Sequence, residues 1–364
     1  MKAKIQKKNI QSVIKKLLPL ARGRSPLPIL DNFLIVVKDN KMSITATKLV
    51  IFGTGTLEIE GEGKYSFCVD AQKLSAIVDA SKDIIDFEYN SDEKRQLIIK
   101  SGHSTHKLGT EAHEDYPRPE KLKDPKAISI PNMAKIFKRS IHIMSPNEMK
   151  ISQHGISIHS DGIKGTDGSR AIINKLQLEI DKPILIPAET AVLIANMAEE
   201  ITLEYTEETL NILTKDFVFQ SKLADAEPPN IESVMPKNIV VEYTMKTEDF
   251  RSATRTVMIA LNTLDVMKPV KLTFEKEGTL VVSAQDPEVG TQSVDKIKYE
   301  IKTTDGEGVT FPILTAINGG YLTDLLSILD TETITLCSAS IGGTKAFIVK
   351  EEDFTYLMMP QRIH

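Results

Sequence analysis

The chain has 364 residues, 41% hydrophobic and 26% charged, with a formal charge of −5, the composition of a globular protein of two or three domains. Its longest apolar runs, FLIVV at 33–37 and ILIP at 184–187, are strand-sized, and no apolar segment follows the charges of MKAKIQKKN, so neither a membrane span nor a secretory leader is expected. Cys68 and Cys337, the 2 cysteines, each lie inside an apolar strand-like run, which argues against a disulfide framework and points to the reducing cytoplasm.

In chain order, the first predicted element is a helix with Ile10, Val13, Ile14, Leu17 and Leu18 on one face. Residues 1–30 around it hold the cations Lys2, Lys4, Lys7, Lys8, Lys15, Lys16, Arg22 and Arg24 and no acid, which leaves −13 on the rest of the chain. Alternating strands follow, MSITATK at 42–48 among them. The segment GTGTLEIEGEG at 53–63 reads as a glycine-rich hairpin, since no helix follows it as a phosphate loop requires. A second helix, DAQKLSAIVDA from Asp70, precedes the alternating strand IDFEY at 85–89. His103, His106 and His113 then offer metal-ligating groups, and a metal-dependent hydrolase built on them is the enzymatic alternative. Their spacing suits strand and loop rather than a helical metal motif, so no metal, no cofactor and no catalytic role is expected.

This order then returns twice. The middle copy has the stripe Met133, Ile136, Phe137, Ser140 and Ile141, the strand GISIHSD at 155–161, the helix PAETAVLIANMA from Pro187 and the strand ITLEY at 201–205. Its segment SDGIKGTDGSR lacks the spacing and terminal Glu of a calcium loop and reads as a turn. The last copy has the stripe Phe250, Ala253, Thr254, Val257 and Met258, the strand GTLVVSA, the helix NGGYLTDLLSIL from Asn318 and the strand ITLCS at 334–338. First helices are offset by 123 and 117 residues, second helices by 117 and 131, and the strands by 116 and 133. A period near 120 is the size of a domain rather than of a solenoid unit, which predicts an α+β chain of three copies of one domain. The Pro-bearing polar joints KLKDPKA at 121–127 and PPNIESVMPKN at 228–238 place the boundaries at 1–124, 125–240 and 241–364.

Aligned in this way, the first helices share a basic polar side: Lys7, Lys8, Lys15 and Lys16, then Lys135, Lys138 and Arg139, then Arg251 and Arg255. The second helices carry Asp79, Glu189, Glu199 and Asp324 instead. A repeated basic face with no base-reading motif points to sequence-independent contact with nucleic acid. The chain closes on TYLMMPQRIH, apolar where termini are usually polar, so something is expected to tie it down.

Three stretches, GRSPLPIL at 23–30, GTDGSRA at 165–171 and YLMMPQR at 356–362, resemble in order and spacing the signatures of the bacterial β sliding clamp family, the processivity subunit of DNA polymerase III. The resemblance spans essentially the whole chain. It implies three DNA-clamp domains, each of two helices on antiparallel sheets, and a head-to-tail homodimer that closes a ring around duplex DNA. It implies DNA contact at Arg24, with Lys15, Lys138 and Arg139 added by position, and a dimer interface that includes Met258 and Ile259. It also implies a pocket for short peptide motifs of polymerase, clamp loader and repair proteins, formed by Thr166, Gly168, Ser169, Arg170, Pro229, Val234, Asn318, Tyr321, Leu357, Met359, Pro360 and Arg362. The chain departs from the family pattern where Ser169 replaces a His, Ala171 a Leu and Gln361 a Met, and where His364 adds a residue. The second alternative is a peptide-binding scaffold that never forms a ring.

Overall fold

The computed structural model describes residues 2–21, 27–90, 95–198, 200–261, 267–304 and 309–362. Arg24 with the first half of its GRSPLPIL signature, and the terminal Ile363 and His364, lie outside the described residues. Six helices occur among the described residues: α1 (Lys7–Leu17), α2 (Ala71–Ala80), α3 (Met133–Ser140), α4 (Ala188–Ala195), α5 (Thr247–Met258) and α6 (Gly319–Ile328). They come in pairs separated by antiparallel strands, the order expected from the repeats.

Local chemistry explains these boundaries. The predicted stripe of α1 is buried from Ile10 to Leu18, each side chain contributing about 1.5–3 kcal/mol of transfer free energy, and Pro19 then ends the helix in a single 3-10 turn. Asp70 caps α2 by accepting the Lys73 amide at 2.8 Å, and Asn318 caps α6 through the Gly320 amide at 2.9 Å. In the first and third repeats the C-terminal end of the second helix is capped from the first helix. Lys7 donates to the Asp79 and Ser81 carbonyls, both at 2.8 Å, and Arg251 donates to Leu326 at 2.9 Å and Leu329 at 3.0 Å.

The chain packs as two compact units, residues 1–134 with 197–223, and residues 135–196 with 224–364. The middle repeat contributes to both. In the first unit a run of 13 strands includes the strand Ile51–Glu58. The expected hairpin at 53–63 does not form: Ile51–Glu58 pairs with Lys41–Thr47 and Phe217–Lys222, and Glu60–Glu62 pairs with Lys2–Gln6. The glycines serve close packing under α1 instead. A Cβ on Gly53 would lie 2.8 Å from Leu17 and 2.7 Å from Leu20, and one on Gly55 would lie 2.6 Å from Val13. In the second unit, 9-stranded and 4-stranded sheets enclose a core that includes Tyr243, Phe250, Phe274, Leu325 and Phe347.

Each unit contains one join between repeats, and both joins follow one pattern. The last strand of the middle repeat, Phe217–Lys222, pairs antiparallel with Ile51–Glu58 of the first, setting Ser221 opposite Ile51. The last strand of the third repeat, Phe354–Met358, pairs antiparallel with Arg170–Lys175 of the middle one, setting Met358 opposite Arg170. Strand pairing across these joins is why compact units and sequence repeats have different boundaries.

Candidate functional site

The segment Thr166–Arg170 is a tight turn closed by its own side chains. The Thr166 hydroxyl donates to the Arg170 carbonyl at 2.7 Å and accepts the Gly168 amide at 3.0 Å, while Asp167 accepts the Ser169 and Arg170 amides at 2.9 and 3.0 Å. Gly168 takes a φ of +91°, a region that a side chain would strain. This leaves Gly168 and Ser169 on the surface beside the C-terminal strand.

That strand ties down the apolar ending. The Met359 amide bonds to the Ser169 carbonyl at 2.8 Å, the Gln361 amide to Ala316 at 2.7 Å, and the Gln361 side chain to the Met267 carbonyl at 2.7 Å. The two methionines divide: Met358 is fully buried and Met359 is 42% exposed. Leu357 lies beneath the surface, packed with Ala171, Ile231 and Ala346, so it supports a floor rather than forming a wall. Val234, 57% exposed, and Met359 line one groove of about 610 Å³. Pro229 and Pro360 are half-buried and Arg362 is exposed.

Arg170 and Tyr321 form a second group, and Asn318 begins the helix α6 that carries Tyr321. Asn318 is occupied in capping α6. Arg170 is buried, and its donors are taken by Asp167 at 3.0 Å, Asp324 at 2.5 Å, the Tyr356 hydroxyl at 3.4 Å and the His142 carbonyl. Its guanidinium also stacks 4.2 Å from the Tyr321 ring centroid. Burial works against its charge, but Tyr356, Asp324 and Asp167 outweigh that and hold the guanidinium more firmly protonated than usual. Arg170 is therefore a strut that fixes the turn, the strand and α6. Burial, assisted by Arg170 and opposed by Asp324, holds the His142 pKa below its ordinary value.

A second strut carries no sequence signature. Lys164, buried, bonds to Asp161 at 2.9 Å and to Glu232, fixing the short 3-10 segment Glu232–Val234 that presents Val234. Despite burial, those two carboxylates raise its pKa.

On the basic helices the structure separates exposed cations from engaged ones. Lys15, Lys138 and Arg255 occupy matching positions 123 and 117 residues apart, the same offsets as the buried stripes, and all three are exposed. Lys16 stands 4.3 Å from the Phe217 ring. Arg139 bonds to Asn174 at 2.5 Å and Asp353 at 2.6 Å and packs 4.7 Å from Phe354, so its charge is compensated locally. Ile259 is 83% exposed, whereas Met258 is half-buried against Gly319. His103 lies in a hairpin turn and His106 in the strand after it, and His113 meets Arg118 at 3.0 Å; among the described residues no three His, Cys, Asp or Glu side chains converge as a metal site. No helix among the described residues is long and apolar enough to cross a membrane.

Two-helix, antiparallel-sheet repeats joined strand to strand define an α+β protein of the DNA-clamp class. Residues 1–120 match the DNA polymerase III beta subunit, N-terminal domain, and residues 232–362 its C-terminal domain. The chain belongs to the family of DNA polymerase III beta subunits, the beta sliding clamps. It is 24% identical over 381 residues to the beta sliding clamp of Vibrio cholerae, with 100% of both chains covered, and 22% identical to that of Bacillus subtilis over 390 residues, again with 100% of both covered. Among solved structures it resembles a DNA polymerase sliding clamp from Bacillus subtilis at a TM-score of 0.89, with 21% identity and 100% of both chains covered. It resembles a sliding clamp from Pseudomonas aeruginosa bound to griselimycin at 0.87, with 22% identity and 100% of both covered.

Proposed function

We propose that this chain is a non-catalytic DNA sliding clamp, a head-to-tail homodimer that encircles duplex DNA and tethers DNA polymerase and other partners to it. The observation that carries this reading is the pattern of the two joins. In each, the last strand of one repeat completes the open edge of a matching strand in the preceding repeat. A third join of the same kind requires the last strand of the first repeat, Ser104–Glu111, and the matching strand of the third, Thr291–Lys298. Both edges are open among the described residues: Ser104–Glu111 meets a second strand only at Thr110 and Glu111, and Thr291–Lys298 pairs with Thr279–Asp286 alone.

Two copies satisfy both of these edges at once. Equivalent positions fix the register. Ser221 and Met358 correspond to Leu108, and Ile51 and Arg170 to Gly290, so Leu108 of one copy faces Gly290 of the other and Ser104 faces Val294. The apolar Ile259 adjoins this interface, with Met258 behind it. The domain boundaries under this reading stay at 1–124, 125–240 and 241–364.

DNA contact falls to Lys15, Lys138 and Arg255 as one exposed cation per repeat, with Arg24 added, while Arg139 braces α3. Encirclement keeps the clamp on DNA topologically, so weak and salt-sensitive contacts suffice and permit sliding. Apolar anchors of short peptides from polymerase, clamp loader and repair proteins dock between Val234, Pro229 and Met359, with Ser169, Tyr321 and Arg362 on the flank. A flexible thioether at Met359 adapts to different anchors. The free cysteines fit a cytoplasmic setting; burial pushes the Cys68 thiol up to about 12, which makes it inert.

The register is tested by oxidation of paired cysteines. Ser104→Cys with Val294→Cys should give a covalent dimer, and Ser104→Cys with Gln292→Cys should not. Light scattering should give about twice the 40.4 kDa chain mass at micromolar concentration. A 40.4 kDa species that resists cross-linking would overturn the dimer and favour a scaffold that forms no ring.

A further inference from the structure

We infer that the groove continuing from Val234 and Met359 recognises acidic residues flanking the apolar anchors of a docked peptide. The inference rests on the peptide-docking reading above. The groove, about 610 Å³, has an apolar floor that includes Val240, Ala339 and Ala346, and its rim carries Lys237 and Lys345, both exposed. Among the described residues no carboxylate lines it and neither lysine forms an ion pair. The acids nearest Lys237 in sequence stand by other cations, Glu232 by Lys164 and Glu242 4.0 Å from Lys302, and Glu351, the acid nearest Lys345, accepts from the Thr331 hydroxyl at 3.3 Å.

Residues 31–364 carry a net −13, and on this rim two exposed cations share one apolar groove with no acid lining it. An apolar floor beneath a cationic rim fits one chemistry, an extended peptide whose side chains alternate between apolar anchors and carboxylates. Nucleic acid would satisfy the lysines but leave Val240, Ala339 and Ala346 without a partner. Val234 and Met359 belong to both the docking pocket and this groove, so a peptide anchored at the first continues into the second without a break. The rim would act on affinity and partner choice, adding charge complementarity where the apolar pocket alone discriminates weakly between similar side chains.

The test uses the full-length protein and short synthetic peptides that share Leu and Phe anchors and differ only in whether the residues flanking them are Asp or Asn, on either side in separate peptides. Titration calorimetry at low salt should show one Asp-flanked peptide binding about fivefold more tightly than its Asn partner, an advantage that shrinks in high salt. The double variant Lys237→Gln, Lys345→Gln should bind both peptides with the affinity of the Asn form. Equal affinities in the unmodified protein, or an Asp advantage that persists in the double variant, would overturn the inference. A double variant that loses DNA retention with peptide binding unchanged would assign the rim to nucleic acid and overturn it too. If neither peptide binds, the docking reading itself fails, a result distinguishable from loss of the acidic preference alone.

Discussion

Replacing Arg170 by Gln removes one side chain from four polar partners and one ring. Asp167, whose side chain is 9% exposed, would lose its only cation at this site, and Asp324, 35% exposed, would lose a 2.5 Å ion pair. Breaking a buried pair by removing one member costs about 3–5 kcal/mol, because the other charge is left behind. Water reaches Asp324, so the lower end, about 3 kcal/mol, is the appropriate magnitude. In a unit of this size that corresponds to a fall in Tm of roughly 6–12 °C. Scanning calorimetry of the parent, Arg170→Gln and Arg170→Gln with Asp324→Asn measures it, and the last variant should recover part of the loss because it neutralises the abandoned carboxylate. Peptide affinity should fall with the first substitution, since the turn, the C-terminal strand and α6 share this strut. A Tm within about 1 °C of the parent, together with unchanged peptide affinity, would refute the assignment of Arg170 as the strut.

Ending the chain after Met359 removes the Gln361 bonds to Ala316 and Met267 but spares the strand pairing of Phe354–Met358; peptide binding should disappear by calorimetric titration while Tm falls by only a few degrees. Substituting Gln for Lys15, Lys138 and Arg255 together should leave the dimer intact and reduce the slope of log affinity for DNA against log salt by about 0.9 for each phosphate that the removed cations had neutralised. Stability should decline as pH falls through the ordinary histidine range. Burial holds both the His142 and His159 pKa values below normal, so below the unfolded value of 6.5 the unfolded chain takes up protons that the folded chain does not. Thermal unfolding across pH 7 to 5 checks this, and His142→Gln should flatten the decline in part.

The helices were legible because burying one face of a 3.6-residue period leaves a stripe in the sequence, and the stripes from Ile10, Met133 and Phe250 are buried faces in the structure. Long-range partnership left no such trace. Arg139 reads as one more cation on a basic helix until Asp353, 214 residues away, is seen to hold it. Arg170 and Asp324 stand 154 residues apart, and Lys164 and Glu232 68, so the struts of the site could not be read from local spacing. Gly53 and Gly55 resemble turn residues in the sequence because the element that needs them small, α1, lies earlier in the chain and crosses their strand. The division into two units leaves no mark on the repeat pattern because strand pairing across each join binds part of the middle repeat to either neighbour.

Encirclement is the central claim, and topology tests it more directly than affinity does. The protein is loaded onto circular nicked DNA by its clamp loader, separated from free protein by gel filtration in high salt, and the DNA is then linearised with a single-cutting nuclease. A ring held by topology stays with the circle and runs off the linear molecule. Dissociation from the circle in high salt, or equal retention on circle and line, would contradict the account.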